Sequence, residues 1–254
     1  MSPEAIQVPE PRPAGLGTFA RITGVFFEPG KTFEDIGRHP SWFVPLLLVI
    51  VATLAYNISY GQHVGWERFM QQQIANSPRV QAQIDQIPAD QRESQMALRA
   101  KITGISQYVA SVVIMPIVIL ISSAILLGLT AMMGAGLRYK QVFAVSCFAG
   151  VPIIIKHLLS IVVVFLKKPD DFNLLNPLAF NFAAFMDQTT ASKFLYTVAL
   201  SFDLFAIWVM LLTATGLAAA AGRKRLSFGG AMVAVAVPWV VFVLLGASMA
   251  AAFS

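Results

Sequence analysis

The sequence has little charge, a single cysteine and few features of a water-soluble protein. Asp, Glu, Lys and Arg make up 12% of the 254 residues, whereas 57% of the residues are hydrophobic. This balance excludes an ordinary soluble domain and is typical of an integral membrane protein. Cys147 cannot form an internal disulfide or a cysteine-rich metal site. Because it lies inside an apolar run, we expect it to be a small buried hydrophobe.

The sequence signatures of the common enzyme classes are also absent. The chain has no P-loop, no HExxH, no Cys/His cluster and no dinucleotide-binding glycine pattern. Its net charge is +5, but the basic residues are scattered and form no stripe, so nucleic-acid binding is not expected. We therefore predict a protein that is not an enzyme and has no cofactor, metal or catalytic residue. The predicted partners are the lipid bilayer and an unknown membrane or cytoplasmic protein, and a homo-oligomer is among the alternatives.

Five apolar runs predict an all-α, polytopic membrane domain over residues 42–253. Residues 61–107, between the first two runs, are polar and interrupted by prolines, which predicts an external helical insert. The insert is interpreted either as a cap over a ligand or as a solvated connector. The predicted spans are about 42–60, 108–133, 141–166, 196–221 and 228–253.

The N-terminal region divides into a disordered cytoplasmic tail, 1–15, and an amphipathic cytoplasmic segment, 16–41. Thr32 and Asp35 resemble a capping box that would begin the second of two short helices, while Arg21 is the only charge of the first. The segment is predicted either to lie in the membrane interface or to pack against the helix bundle. Its predicted interfacial face consists of Phe19, Ile22, Phe26 and Phe33.

The turns after the second and fourth spans are basic and contain no acid, whereas the other connections carry mixed charge. The positive-inside rule then predicts that the N-terminus is cytoplasmic and the C-terminus lies outside. The second of these turns is also predicted to contact anionic lipids. It contains Arg223, Lys224 and Arg225.

Three polar residues within the predicted spans form a candidate intramembrane polar centre: Lys156, His157 and Asp203. In the predicted topology, Lys156 and Asp203 differ in depth by about one helical turn. We therefore predict that Lys156 neutralises Asp203, with His157 as the alternative partner. The pair is interpreted either as a fixed structural contact or as part of a proton or ion relay.

Four segments resemble the Yip membrane family (Ypt/Rab-interacting, or YIPF, proteins) in its prokaryotic branch. They are PGKTFEDIGRHPSWFVPLLL at 29–48, NPLAFNFAAFMD at 176–187, FLYTVALSFDLFAIW at 194–208 and RKRLSFGGAM at 223–232. The resemblance rests on their order and covers the chain from about Phe19 onward. It implies five membrane helices, and in eukaryotic members it implies binding of Rab-type GTPases through the cytoplasmic N-terminus. The DLYGP-type signature of those members is absent here.

This resemblance implies a non-enzymatic membrane scaffold or adaptor that binds a partner or organises the membrane. It also implies that the protein resides in the bacterial inner membrane. The alternative function is a transporter or channel for an ion or small solute, using Lys156, His157 and Asp203. A water-accessible cavity that reaches Lys156 or Asp203 would favour the transporter, and a tightly packed core there would favour the scaffold.

Overall fold

The computed structural model describes residues 15–75, 77–187 and 190–252, and the predicted disordered tail lies almost wholly outside these ranges. The described chain is built from α-helices joined by turns and one longer loop. The helices are α1 (Thr18–Phe27), α2 (Pro29–Arg38), α3 (Phe43–His63), α4 (Trp66–Ala75), α5 (Pro78–Asp85), α6 (Ala89–Val109), α7 (Met115–Met132), α8 (Tyr139–Ala149), α9 (Pro152–Leu166), α10 (Lys193–Ser201), α11 (Leu204–Ala221) and α12 (Phe228–Ala252).

Five helical stretches are long and apolar enough to cross a bilayer, which confirms the predicted all-α polytopic fold. Their exposed surfaces are rich in Val, Leu, Ile and Phe, as lipid-facing surfaces require. The stretches are Phe43–His63, Ala89–Met132, Tyr139–Leu166, Leu204–Ala221 and Phe228–Ala252.

The second stretch is one helix of 44 residues, and it joins the predicted insert to the second span without a break. Such a helix is about 66 Å long, roughly twice the hydrocarbon thickness. A π-helical segment, Ala110–Ile114, lies just before Pro116. The proline ring clashes with the carbonyl four residues earlier, and the wider π turn relieves that clash. Asn57 of α3 donates a buried hydrogen bond to Ser111 in this segment.

The third span is divided at Gly150 and Val151 into α8 and α9. Pro152 is the first residue of α9, where the missing N–H leaves no hydrogen bond unmade. The predicted run 141–166 therefore crosses as two helical pieces with an irregular turn between them.

The fourth span differs from the prediction, because no continuous helix covers the described residues 196–221. α10 ends at Ser201, and Asp203 caps the N-terminus of α11. Its carboxylate oxygen Oδ1 accepts hydrogen bonds from the backbone N–H groups of Phe205 and Ala206, at 2.9 and 3.2 Å. The placement of Asp203 inside a continuous helix was therefore wrong: a short acidic side chain satisfies the first free N–H groups of a helix and so favours a break.

α1 and α2 form a hairpin that packs against the end of the bundle carrying the basic turns at 138–140 and 223–225, here called the basic end. The hairpin turn is at Glu28 and Pro29, so Thr32 lies within α2 and does not begin it, contrary to the capping-box prediction. α2 runs alongside α11, where Phe33 lies against Gly216 and Gly37, one turn later, lies against Ala220. This equal spacing shows that the two helices run parallel.

The main apolar core lies at the basic end and is shared by α2, α8, α11 and α12. A smaller cluster at the opposite end joins α3, α4 and α9 to the loop before α10. There the ion pair between Arg68 and Asp170, and a hydrogen bond of 2.8 Å from Gln72 to the carbonyl of Phe172, fasten the insert to this loop. The insert is therefore attached to the bundle and packs over the end of α3.

Candidate functional site: an ion pair beside an intramembrane cavity

The structure brings Lys156 of α9 and Asp203 of α11 together. Lys156 Nζ lies 3.3 Å from Asp203 Oδ2, so the predicted contact is present. The capping role of Asp203 explains its orientation, since Oδ1 faces the helix N-terminus while Oδ2 remains for the lysine. The carboxylate thus receives two backbone hydrogen bonds, the positive end of the helix dipole and an ammonium group, which together stabilise a buried negative charge.

The loop before α10 closes over this carboxylate. The N–H of Leu204 donates a hydrogen bond of 2.9 Å to the carbonyl of Phe180, and Asn181 forms an isolated antiparallel bridge with Asp203. Asn181 is buried, and its Nδ2 donates to Asn176 Oδ1 at 2.7 Å. A non-helical segment inside a bilayer needs such internal partners for its backbone, and the loop provides them.

The ion pair lies at hydrocarbon depth. Lys156 is ten residues before the end of α9, and Phe242, which lines the same cavity as Asp203, is ten residues before the end of α12. At 1.5 Å per residue, both positions are about 15 Å from their helix ends. This distance is half of the roughly 30 Å hydrocarbon thickness.

A cavity of about 420 Å³ lies beside the pair, between α7, α9, α11 and α12. Its wall is mostly apolar and aromatic, with Lys156, His157 and Asp203 as its titratable members. The region around the pair is therefore not tightly packed. The other principal wall residues are Ile125, Phe205, Val209, Met210, Val235, Pro238, Trp239 and Phe242.

His157 lines the cavity, but the ion-pair partner of Asp203 is Lys156 and not His157. The imidazole stacks on the ring of Tyr56, with ring centroids 5.3 Å apart and an interplanar angle of 26°. Its Nδ1 atom is buried and has no hydrogen-bond partner within residues 15–75, 77–187 and 190–252. His157 therefore belongs to the α3–α9 contact as much as to the polar centre. In those ranges, no three His, Cys, Asp or Glu side chains are grouped as metal ligands would be.

Sequence reasoning missed the role of Arg21, which is 5% exposed and holds the hairpin together. Its Nε donates to Asp35 Oδ2 at 2.7 Å, and its Nη1 donates to the carbonyl of His39 at 2.9 Å and to Ser41 Oγ at 2.7 Å. One buried guanidinium thus ties α1 to α2 and to the start of the first span. The signal in the sequence that could have indicated this role is that Arg21 is the only charged residue on an otherwise apolar helix.

The predicted interfacial face is divided by the fold. Phe33 is fully buried in the main core, so its prediction as a membrane-interface residue was wrong. The physical reason is that Gly216 has no side chain and leaves a space that the phenyl ring fills. Ile22 packs against the same core, and Phe26 meets Trp208 edge to face at 5.5 Å. Phe19 is 80% exposed and remains available to lipid or a partner.

The basic residues Arg223, Lys224 and Arg225 form the turn between α11 and α12, and all three are exposed. Arg138 and Lys140 lie in the neighbouring turn before and at the start of α8, and they are exposed as well. The turns are adjacent because α8 packs against α11. The two basic turns therefore form a single surface in the structure, and the contact of Arg223, Lys224 and Arg225 with anionic lipids stays a prediction.

A family model described as the Yip1 domain matches residues 23–249 of the chain. The chain belongs to the Yip1-domain family. The match confirms the resemblance noted from the four sequence segments and establishes an integral membrane protein of the Yip type. It extends from within α1 to near the end of α12, so the second half of α1, all of α2 and nearly all of the five spans belong to the matched domain. Among curated proteins and among solved structures, nothing matches the chain.

Proposed function

We propose that this Yip1-domain protein is a non-enzymatic scaffold or adaptor of the bacterial inner membrane that presents its α1–α2 hairpin to a protein partner. The observation that supports this function best is that the hairpin is fixed to the bundle while part of its apolar surface stays uncovered. Phe19 and Phe27, near the two ends of α1, are 80% and 84% exposed. The hairpin is thus held in place without using these two rings.

The attachment of the hairpin favours a recognition role, because a fixed surface loses little conformational entropy when a partner binds. Arg21 and its three hydrogen-bond acceptors fix the fold of the hairpin. Gln141 of α8 donates a hydrogen bond of 2.8 Å to the carbonyl of Gly37, which fixes its position on the bundle.

The outer side of the hairpin has the mixed character of a protein interface. A groove of about 870 Å³ runs between α1 and α2. Phe27 contributes an aromatic ring to it, and Glu28, Lys31, Asp35 and Arg38 contribute charges of both signs. Aromatic anchors with a polar rim are typical of surfaces that bind proteins. A purely lipid-binding surface would be expected to carry basic residues with few acids.

Photo-crosslinking in intact bacterial membranes tests this function. A photoreactive amino acid is placed at Phe19 or Phe27 in the full chain, and at Val241 as a control, since Val241 is exposed on α12. We expect discrete protein adducts from positions 19 and 27 and only lipid adducts from position 241. Lipid adducts alone from all three positions would contradict the scaffold function.

The proposed orientation, with a cytoplasmic N-terminus and an external C-terminus, puts the basic turns in the cytoplasm and the hairpin on the cytoplasmic side of the bundle, with its turn directed toward the bilayer where Phe26 contacts Trp208. The acid-free basic turns support this orientation. Alkaline phosphatase fused after Ser254 should be active in a bacterial host. A fluorescent protein that matures only in the cytoplasm should not fluoresce when it is fused after Ser254. Fluorescence of that fusion would contradict the orientation.

A second candidate function, passage of an ion or small solute, is supported by the cavity at Lys156 and Asp203. Two spans are interrupted in the chain: α8 and α9 at Gly150, and α10 and α11 at Phe202. Membrane transporters use interrupted helices of this kind to form sites within the bilayer. The test is a cysteine at Ala206 in a Cys147→Ser background, treated with a membrane-impermeant thiol reagent. Rapid modification supports an aqueous pathway, and complete protection argues against one.

A further inference from the structure

Lys156 has unused hydrogen-bonding capacity inside the membrane. An ammonium group carries three N–H donors, and the structure gives Lys156 a single polar partner in the described ranges, Asp203 Oδ2 at 3.3 Å. The lysine side chain is 29% exposed, and it lines the cavity of about 420 Å³. At hydrocarbon depth an unsatisfied donor is costly, so a group with acceptor oxygens is expected in the cavity.

The cavity is accessible from the side of the bundle. Ile125 of α7 and Phe242 of α12 line it and are also exposed on the outer surface. In a bilayer that surface faces the lipid chains, because α7 and α12 both belong to helical stretches long and apolar enough to cross a membrane. A ligand can therefore enter from the hydrocarbon interior. The wall is suited to such a ligand, because Phe205, Trp239 and Phe242 provide aromatic surface.

We propose that this cavity binds an uncharged lipophile whose carbonyl or hydroxyl oxygen accepts a hydrogen bond from Lys156. The site is close to neutral, because Asp203 already balances the lysine, so a charged ligand would bring an unpaired charge into a low dielectric. The depth of about 15 Å also separates the site from phospholipid headgroups, which remain at the surface. A neutral molecule that dissolves in the bilayer interior satisfies both conditions.

This binding site goes beyond the scaffold function and does not depend on it. It differs from the second candidate function in a way that can be measured. An aqueous pathway requires water at Lys156, whereas the proposed ligand fills the same space and excludes water. Failure of the hairpin to bind a protein would leave this inference unaffected.

The test uses the full chain reconstituted in phospholipid nanodiscs and a long-chain methyl ketone that carries a diazirine. We expect saturable labelling of α11 and α12 peptides that line the cavity, and we expect unlabelled ketone to compete. The double variant Lys156→Met with Asp203→Asn leaves no unpaired charge and should bind the ketone about tenfold more weakly, the effect of losing one hydrogen bond to a charged group.

A second variant tests the cavity itself without touching the ion pair. Ala206→Phe places a ring in the cavity and should abolish saturable labelling. The matched control is Ile207→Phe, at the next position of α11, where the side chain is exposed on the outside of the bundle and labelling should be unchanged.

Three results would overturn the proposal. One is labelling that does not saturate and that Ala206→Phe leaves intact. Another is equal labelling of the cavity peptides by a phospholipid with the diazirine in its acyl chain, which would indicate an ordinary bilayer lipid. The third is rapid reaction of a cysteine at Ala206 with an impermeant thiol reagent, which would show a water-filled space.

Discussion

At the basic end of the bundle small residues let helices touch, whereas beside Lys156 the fourth span is interrupted at Phe202 and a cavity remains. A Cβ added at Gly37 would lie 2.9 Å from the Cα of Ala220, and one added at Gly216 would lie 2.5 Å from a methyl carbon of Val145. Such close backbone contact is a common source of stability in membranes. Around the ion pair, polar contacts replace close packing.

This contrast assigns different tasks to the two regions. The basic end holds the hairpin in one position, because overlapping apolar contacts and the Arg21 network both fix it. The region around Lys156 and Asp203 is less tightly packed and contains the cavity proposed to bind a ligand. There the ion pair forms a specific contact between α9 and α11. Substitutions at the basic end should therefore alter stability most, and those in the centre should act through charge and volume.

The largest effect is expected at Arg21. Arg21→Met leaves the carboxylate of Asp35 without its main partner and removes the donors to His39 and Ser41. Breaking a buried pair of this kind costs about 3–5 kcal/mol. Thermal unfolding in mild detergent measures the loss, and Arg38→Met is the control, since its ion pair with Glu34 is exposed and 4.0 Å long. Similar melting temperatures for the two variants would mean that the hairpin is not held by Arg21.

The central ion pair should give the next largest effect. Lys156→Met and Asp203→Asn each leave an unpaired polar or charged group at hydrocarbon depth, which we expect to cost about 2.5–3.5 kcal/mol. The double variant should recover part of this loss, because no unpaired charge remains and the introduced asparagine can still cap α11. A double-mutant cycle in detergent gives the coupling energy. Strictly additive losses would show that the two side chains do not interact.

A smaller effect is expected from packing alone at the α2–α11 contact. Gly37→Ala places a methyl group against the backbone of Ala220 and should destabilise the protein by about 1–2 kcal/mol. The control is Gly246→Ala in α12, where nothing lies within 4 Å of the added carbon. That variant should be neutral or slightly stabilising because alanine favours a helix. Equal melting temperatures for the two variants would mean that α2 is not in close contact with α11.

The smallest effect concerns lipids at the basic turns. Lys224→Gln should weaken binding of anionic lipid by about 1 kcal/mol, an effect that salt should reduce. Native mass spectrometry with phosphatidylglycerol measures the bound lipid, and Lys193→Gln, at the start of α10 on the opposite end, is the control. An equal loss for the two variants would contradict a specific role for the turn between α11 and α12.

The sequence was sufficient to predict the five spans, because apolar runs of this length have few other structures available. It also predicted the contact between Lys156 and Asp203, since two opposite charges at similar depth lower the cost of burying each other. It did not predict the break at Asp203, because hydropathy does not distinguish an aspartate within a helix from one that caps it. The break depends on hydrogen bonds to Phe205 and Ala206.

The sequence pattern also could not predict which part of the bundle α2 packs against. An amphipathic period shows which side of a helix is apolar, but it does not identify the surface that covers that side. For Phe33 the covering surface is Gly216 of α11, much later in the chain, and no local pattern links the two. The choice between a cavity and a packed core at Lys156 was left open for a related reason, since the cavity arises from how four separate helices meet.

Hydrogen exchange of the amides of α2 in lipid nanodiscs tests the central claim, that the hairpin is an integral part of the bundle. If α2 packs along α11 as the structure shows, its buried face at Phe33, Ile36 and Gly37 should exchange as slowly as α11 near Gly216. Arg21→Met should speed exchange in α2 and leave the centre of α12 unchanged. Fast exchange throughout α2 in the unmodified protein, as for a helix lying loosely on the membrane surface, would contradict the account.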